Sequence, residues 1–369
     1  MPEPKTRRLA ARWIGRTPVR VWGVPVTERL RRSLVHAGVW DSADWTGAPP
    51  PAVTGVMLFL GDHVYDDALV RALARAPGTV VADAAGRPAC AHVAAEDAAT
   101  MAQVLASGRP VPSARAAGDL VPAHSAKLRR RADPFVLAVT ETSRRAVEDR
   151  LFDASYKGVT DAVTKYLWPA PARAVCRACV RAGVTPNAVT LASLVLAVAA
   201  FLLFRDGALA GGLACAWAMT FLDTVDGKLA RVTLTASRLG DVLDHGLDLI
   251  HPPFWWWAWW VGAGAVDGDA ILVVVIGYVV LRVQEGLFLK RFGMELHVWR
   301  PFDSRFRLIT ARRNPILVVL TVALALGAPE QGMRLVAAWT LVSLAVHAVR
   351  ILMALRLQQQ EGDLLSWLE

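Results

Sequence analysis

Hydrophobic and polar positions follow different patterns in the two halves of this 369-residue chain. Residues 1–180 contain no uninterrupted apolar stretch of about 20 residues, the length that an α-helix needs to cross a bilayer. The remainder contains several, and we predict from them an α-helical integral membrane domain over residues 184–358, followed by a short tail at 359–369. The six predicted transmembrane helices lie at roughly 188–204, 209–231, 240–262, 270–290, 314–328 and 333–355.

The first half has the alternation of a small soluble α/β domain, which we place at residues 1–115. The segments VRVWGVPV (19–26) and VTGVMLFLG (53–61) predict buried strands, and TERLRRSLVHAG (27–38) predicts an amphipathic helix. We expect a Rossmann-like arrangement, although no Gly-rich phosphate loop precedes that helix. The polar and basic stretch 116–183 predicts a helical connector that leads to the membrane.

Charge then restricts the partners and the orientation. The formal net charge is +9, but the basic residues do not cluster on a nucleic-acid recognition fold, so we expect no nucleic-acid partner. They gather beside the apolar stretches, which favours anionic lipid headgroups or phosphate-bearing substrates. The loops after the second and fourth stretches are rich in lysine and arginine, whereas the alternate loops hold only Arg205. This bias predicts an integral cell (inner) membrane protein with both termini and the aspartate-rich segment on the cytoplasmic side.

The N-terminal sequence MPEPKTRRLAARWIGR lacks the apolar core of a secretory signal, so we also expect the first half in the cytoplasm. Later in the chain, the aromatic run FWWWAWW at 254–260 closes the third apolar stretch. An interfacial aromatic belt is the favoured interpretation of this run, ahead of a cofactor-stacking site.

The most unusual segment, FLDTVDGKLARVTLTASRLGDVLDHGLDLI (221–250), places carboxylates inside apolar helices. Asp223 and Asp226 stand three residues apart, and Asp244 and Asp248 four apart, so that each pair shares one helix face. Charge beside hydrocarbon is costly and indicates function. Clustered carboxylates select hard cations such as Mg²⁺, Mn²⁺ or Ca²⁺, and Mg²⁺ commonly binds substrate phosphates as well. The alternative is that these aspartates cap helices and neutralise neighbouring basic residues.

The residues Asp223-xx-Asp226-Gly227-xx-Ala230-Arg231, eight further residues and Gly240-xxx-Asp244-xxx-Asp248 resemble the complete signature of the CDP-alcohol phosphotransferase (CDP-alcohol phosphatidyltransferase) family. The segment VTPNAVT (184–190) is similar to the lead into the first membrane helix of that family. The resemblance covers roughly residues 150–358, and it implies six membrane helices and a homodimer.

The resemblance also implies a reaction and its site residues. Two Mg²⁺ or Mn²⁺ ions would be held by Asp223, Asp226, Asp244 and Asp248, with Asp248 also acting as general base. The acceptor hydroxyl would attack the β-phosphate of a CDP-linked lipid or polyol donor and release CMP. The candidates for the nucleotide side are Asp223, Gly227, Ala230, Arg231 and Gly240.

Basic residues near the membrane are candidates for binding a phosphorylated acceptor, such as an inositol or glycerol phosphate. The same side chains could equally be positive-inside anchors. The candidates are Lys157, Arg305, Arg307, Arg312 and Arg313.

The order of a soluble domain before a membrane domain resembles the bifunctional cytidylyltransferase and di-myo-inositol-phosphate-phosphate synthase proteins. GVPVTERLRRSLVHAGV and the strand that ends at Asp62 are similar to sugar-phosphate nucleotidyltransferases. Without the Gly-rich loop we expect this domain to be a degenerate, non-catalytic relative.

Our leading hypothesis is a transferase of phospholipid biosynthesis that uses CDP-diacylglycerol and an alcohol or polyol-phosphate acceptor. The alternatives are transfer from CDP-inositol to inositol phosphate, as the domain order suggests, and an inactive membrane scaffold.

Overall fold

The computed structural model describes residues 8–39, 41–42, 53–126, 128–236, 238–264 and 268–369, with the backbone alone at residues 8, 41–42, 238–245 and 247–248. The chain divides into two compact units. The first contains residues 1–125, 131–155 and 232–234, and the second contains residues 126–130, 156–231 and 235–369.

The β-strands lie in the first part of the chain. They are β1 (Arg8–Ile14), β2 (Arg20–Val21), β3 (Val24–Pro25), β4 (Asp41–Ser42), β5 (Val53–Leu60), β6 (His63–Tyr65), β7 (Thr79–Ala82), β8 (Pro88–Ala94), β9 (His124–Ser125), β10 (Arg130–Arg131) and β11 (Val136–Ala138). The helices that accompany them are α1 (Val26–His36), α2 (Asp67–Ala74), α3 (Ala98–Ser107), α4 (Ala117–Leu120) and α5 (Arg144–Ala154).

The first unit is built on a five-stranded sheet with the order β4-β1-β5-β8-β7, which confirms the predicted α/β character. β1 runs parallel to β4 and β5, and β8 runs antiparallel to β5 and β7. The strand β1, which lies between β4 and β5, was not predicted, because Arg8 and Arg12 interrupt its apolar pattern. The predicted long strand at 19–26 is wrong: the segment forms the short hairpin β2–β3, which turns at Trp22 and Gly23 with φ of 51° and 72°.

The second unit is helical. After a π-helix (Val163–Leu167) come α6 (Pro169–Ala182), α7 (Pro186–Arg205), α8 (Leu209–Thr233), α9 (Arg238–Gly262), α10 (Gly268–Phe292), a 3-10 helix (Leu296–Val298), α11 (Pro301–Phe306), α12 (Arg313–Ala325) and α13 (Pro329–Glu361). The six predicted apolar helices thus exist as helices. Within the described residues, three of them are long and apolar enough to cross a membrane, namely α7, α10 and α13. The chain therefore has the features of a membrane protein, while six crossings stay a prediction.

A tryptophan-rich core holds α7 and α9 together. Trp255, Trp256 and Trp259 of α9 are at most 1% exposed, and the Trp255 indole donates to the carbonyl of Ala197 at 2.9 Å. The belt interpretation is therefore wrong for these three residues, whereas Trp257 is exposed. The positions 255, 256 and 259 share one helix face, so helical periodicity turns them towards neighbouring helices.

Local sequence positions the start of α7 beside the aspartate segment. The Thr185 side chain accepts a hydrogen bond from the Ala188 amide, and Pro186 follows in the first turn. Both features are typical of a helix N-terminus, since a proline there loses no intrahelical hydrogen bond. Thr190 therefore lies at a defined place in the next turn of α7.

Candidate active site

Two carboxylates of the signature lie on one face of α8. Asp226 is 4% exposed, and the Thr190 hydroxyl of α7 donates to its Oδ2 at 2.6 Å. The Gly227 amide donates to Oδ1 of the same carboxylate. Burying a carboxylate is costly unless such donors compensate it, so the Thr190 hydroxyl helps to stabilise Asp226 in its buried position. Thr190 was not among the predicted site residues, although it ends the VTPNAVT segment.

Asp223, one turn earlier, pairs with a basic residue from the start of α12. Arg313 Nη2 lies 2.6 Å from Asp223 Oδ2, and both side chains are largely buried. Arg313 was predicted as an acceptor-binding residue, and the structure brings it to a predicted metal and nucleotide ligand. A guanidinium at this distance gives the partly buried carboxylate a hydrogen-bond partner.

The next residues of the signature, Gly227, Ala230 and Arg231, lie close together on α8. A Cβ atom built on Gly227 would lie 3.0 Å from Arg231 Nη2, so the guanidinium occupies the space that the glycine leaves open. Ala230 is half-buried beside them. Lys228 is 4% exposed, and its Nζ lies 3.7 Å from the ring centroid of Tyr156. This cation–π contact stabilises a charged group that would otherwise be costly to bury.

The second half of the signature lies on α9. The backbone of Gly240, Asp244 and Asp248 is helical, and the two aspartates stand one turn apart. Their side chains lie outside the described residues, so the convergence of four carboxylates stays a prediction.

A second polar cluster forms around Arg307, a predicted acceptor residue that follows α11. Arg307 is 6% exposed, and within the described part of the chain neither its Nε nor its Nη1 has a hydrogen-bond partner. The nearby Asp161 accepts bonds from the Thr164 hydroxyl at 2.8 Å and from Asn314 Nδ2 at 3.0 Å. Burial raises the pKa of Asp161, but the Arg307 charge and these donors outweigh it and hold the pKa below its ordinary value.

Glu285 of α10 is bonded by Arg282 of its own helix and by two residues from later in the chain, Arg312 and His297. Its Oε2 accepts from Arg312, and its Oε1 accepts from Arg282 at 3.1 Å and pairs with His297 Nε2 at 3.0 Å. His297 is 2% exposed, and burial lowers its pKa well below the ordinary value in spite of Glu285. His297 is therefore a neutral imidazole at pH 7. His347 of α13, at 0% exposure, completes this group.

The five predicted acceptor residues thus fall into different places. The positive charges of Arg307 and Arg312 are close enough to repel each other, and Arg313 contacts Asp223. Lys157 is close enough to Lys228 for an electrostatic interaction between the two side chains, and Arg305 is exposed. Glu285 and His347 were missed, although a polar residue inside a predicted apolar helix is itself a functional signal.

Comparison with known proteins finds a family whose model matches the part of the chain that contains the signature. The family described as CDP-alcohol phosphatidyltransferase matches residues 183–349. The phosphatidylinositol phosphate synthase of Mycobacterium marinum is 34% identical over 112 residues, which is 30% of this chain and 48% of the relative. That of Mycolicibacterium smegmatis is 35% identical over 107 residues, covering 28% of this chain and 48% of the relative. The chain thus spans about half the length of these curated relatives.

A solved structure from Mycobacterium tuberculosis, phosphatidylinositol phosphate synthase in complex with manganese and citrate, aligns with 48% of this chain and 87% of that chain at 24% identity and a TM-score of 0.37. The family match spans α7, α8 and α9, where Thr190 and the signature aspartates lie. The part of the chain that contains the signature, residues 183–349, therefore matches the CDP-alcohol phosphatidyltransferase family.

Proposed function

We propose that the protein is a membrane CDP-alcohol phosphotransferase that transfers the phosphatidyl group of CDP-diacylglycerol to an acceptor hydroxyl, with release of CMP, in phospholipid biosynthesis. The observation that carries the proposal is the complete signature within the family match, with Asp226 buried and held by Thr190. A scaffold would have no need to keep a buried carboxylate at this position.

The residues present fit divalent cations. Their donor atoms are carboxylate oxygens, which Mg²⁺ and Mn²⁺ prefer, and Asp223 and Asp226 share one helix face. Asp223, Asp226, Asp244 and Asp248 would hold two ions. When bound, the ions would stabilise the negative charge that develops on the diphosphate during transfer.

The protein's own groups then position and deprotonate the reactants. The Asp248 carboxylate would accept the proton of the acceptor hydroxyl as its oxygen bonds to the β-phosphorus of the donor. The bond between that phosphorus and the bridging oxygen breaks, and the electron pair leaves with CMP. Arg231, whose guanidinium lies beside Gly227, would pair with the nucleotide phosphates, and Ala230 and Gly240 would leave room for the nucleotide.

The acceptor belongs to the phosphorylated polyols in this proposal. Arg307 carries the argument, because a buried guanidinium with two open donor atoms favours an anionic ligand. The matched relatives are phosphatidylinositol phosphate synthases, a name that fits an acceptor of this class. Arg312 would supply further positive charge to the same pocket.

The setting of the reaction follows from the loop charges and the resemblance. We infer six membrane helices, an active site on the cytoplasmic side of the inner membrane, and a homodimer. The first unit lacks a Gly-rich phosphate loop between β1 and α1, which supports a non-catalytic role.

The test is CMP release by the purified full-length protein with Mn²⁺ or Mg²⁺. CDP-diacylglycerol and CDP-inositol are each offered with inositol, glycerol and their phosphates. Metal-dependent CMP release from CDP-diacylglycerol is expected, and Asp248→Asn should abolish it. The matched control is Asp241→Asn, an acid on the same helix outside the signature, which should keep the activity. A folded protein that binds no CDP-linked donor would refute the proposal.

A further inference from the structure

Two buried histidines outside the signature have open ring nitrogens. Neither nitrogen of His347 has a hydrogen-bond partner within the described residues, and neither does Nδ1 of His297. Their exposures are 0% and 2%, and the ring centroids lie 5.2 Å apart. A neutral imidazole always carries one N–H donor and one acceptor nitrogen, and a buried group left without a partner is costly. The pair therefore indicates a ligand.

A metal ion is the first candidate for that ligand. Glu285, His297 and His347 each offer a donor atom within 4.8 Å of the others, and two histidines with a glutamate can bind zinc. The surrounding charge argues against this occupant. Among the described residues, the charged groups that act most strongly on His347 are three guanidinium groups, those of Arg282, Arg307 and Arg312, and one carboxylate, that of Glu285.

That carboxylate is also occupied already, because Arg282, Arg312 and His297 all bond to it. A second cation would meet an excess of positive charge, whereas an anion would be attracted. Arg307 adds two open donor atoms to the same neighbourhood. This cluster of side chains is therefore suited to bind a phosphate group.

The two histidines differ in what they can offer. The nitrogen of His297 that faces Glu285 must carry the hydrogen, since a carboxylate only accepts, and Nδ1 is then an acceptor. An acceptor nitrogen suits a hydroxyl group and not a phosphate oxygen. The ring of His347 has no such constraint and can turn an N–H towards a phosphate.

We propose that His347 donates a hydrogen bond to the phosphate of a phosphorylated polyol, together with Arg307, while His297 Nδ1 accepts one from a neighbouring hydroxyl. This inference rests on the proposed function, since it assigns both histidines to the acceptor pocket. It makes them specificity-determining residues for an acceptor that carries both groups.

The variants are His347→Leu and His297→Leu, with Thr340→Val as the matched control. Thr340 is a buried residue of α13, two turns from His347, whose hydroxyl bonds within its own helix. His347→Leu should raise the KM for inositol phosphate about tenfold to a hundredfold, the value of a hydrogen bond to a charged group, and leave the KM for CDP-diacylglycerol unchanged. His347→Gln, which keeps an N–H donor, should show a smaller rise and serves if the leucine variant does not fold.

A binding measurement decides the proposal independently of turnover. Inorganic phosphate should raise the unfolding temperature of the detergent-purified wild type, Thr340→Val and His297→Leu, but not of His347→Leu. Inositol phosphate should protect His297→Leu less than wild type. Equal phosphate protection of His347→Leu would overturn the proposal.

The same unfolding measurement distinguishes two other ligands of the histidine cluster, a metal cation and a lipid headgroup. Protection of the wild type by Zn²⁺ that His347→Leu loses would assign a cation site, and protection only by phosphatidate in mixed micelles would assign a lipid headgroup. Either result overturns the proposal. Failure of the proposed function would instead appear as no CMP from the wild type with any substrate pair, while phosphate protection could still be measured.

Discussion

At the scale of single residues, the buried carboxylate of Asp226 depends on its donors. A buried carboxylate is costly unless it is hydrogen-bonded, and the Thr190 hydroxyl donates a 2.6 Å hydrogen bond to it from a different helix. Because the same hydroxyl also lies 3.2 Å from the Pro186 carbonyl, its position is set by the first turns of α7. Thr190 is thus placed as a positioning residue for a proposed metal ligand.

Thr190→Val should therefore impair the proposed reaction without abolishing folding. Losing a hydrogen bond to a charged group predicts a drop of about tenfold to a hundredfold in CMP release. The half-saturating Mn²⁺ concentration should rise as well, which a merely structural role would not predict. Thr190→Ser keeps the hydroxyl and should restore both values. Equal Mn²⁺ dependence of wild type and Thr190→Val would contradict the positioning role.

The candidate site was predictable only where its residues are close in sequence. Asp223 and Asp226 could be paired because helix geometry converts a three-residue spacing into a shared face. Glu285, His297 and His347 come from three separate elements, and their contact depends on tertiary packing that no local spacing encodes. The pairing of Arg313 with Asp223 is likewise a long-range contact, and it was missed for the same reason.

At the scale of helices, α7 and α9 approach each other closely at Gly262. A Cβ atom built there would lie 1.7 Å from the Phe204 carbonyl oxygen, a contact with backbone that cannot move aside easily. Small residues at such crossings allow helices in membranes to pack closely. Gly262 therefore helps to hold the helix that bears Asp244 and Asp248.

Gly262→Ala should lower the free energy of unfolding by about 3 kcal/mol, the upper range for overpacking, because one backbone must shift. Gly286→Ala on α10 is the matched control, since a Cβ there meets no atom within 4 Å. It should be neutral or stabilising by up to about 1 kcal/mol, the gain in helix propensity. Denaturant unfolding in detergent micelles measures both values. Equal stability of the two variants would show that the α7–α9 crossing tolerates a side chain.

The existence of these helices was predictable, but which side of each helix is buried was not. Long apolar stretches predict helices because a bilayer leaves backbone groups no other partners. A stretch that is apolar on every side has no polar face to indicate its orientation, so the burial of Trp255, Trp256 and Trp259 could not be read from FWWWAWW. In the first unit, β1 was not predicted from its own sequence. It lies between β4 and β5, and its burial depends on these neighbouring strands.

At the scale of the whole molecule, the charge of the loops predicts how the membrane domain is oriented. The basic loop between α10 and α12 would lie on the cytoplasmic side, and the loop that contains Asp206 would lie on the opposite side. The proposed chemistry requires this orientation. The headgroup of a CDP-linked donor and a polyol phosphate are both charged, and charged groups do not cross a bilayer unaided.

Single cysteines introduced into a variant without Cys90, Cys176, Cys179 and Cys215 test this orientation. Asp206→Cys and Arg291→Cys replace exposed residues in the two loops. A membrane-impermeant maleimide should label Asp206→Cys in cells whose inner membrane is intact, and Arg291→Cys only after that membrane is permeabilised. The reverse labelling would place the aspartate segment outside, away from the nucleotide donor, and the proposed reaction would then lose its substrate. Labelling of both sites in intact cells would mean that one of the helices between them does not cross.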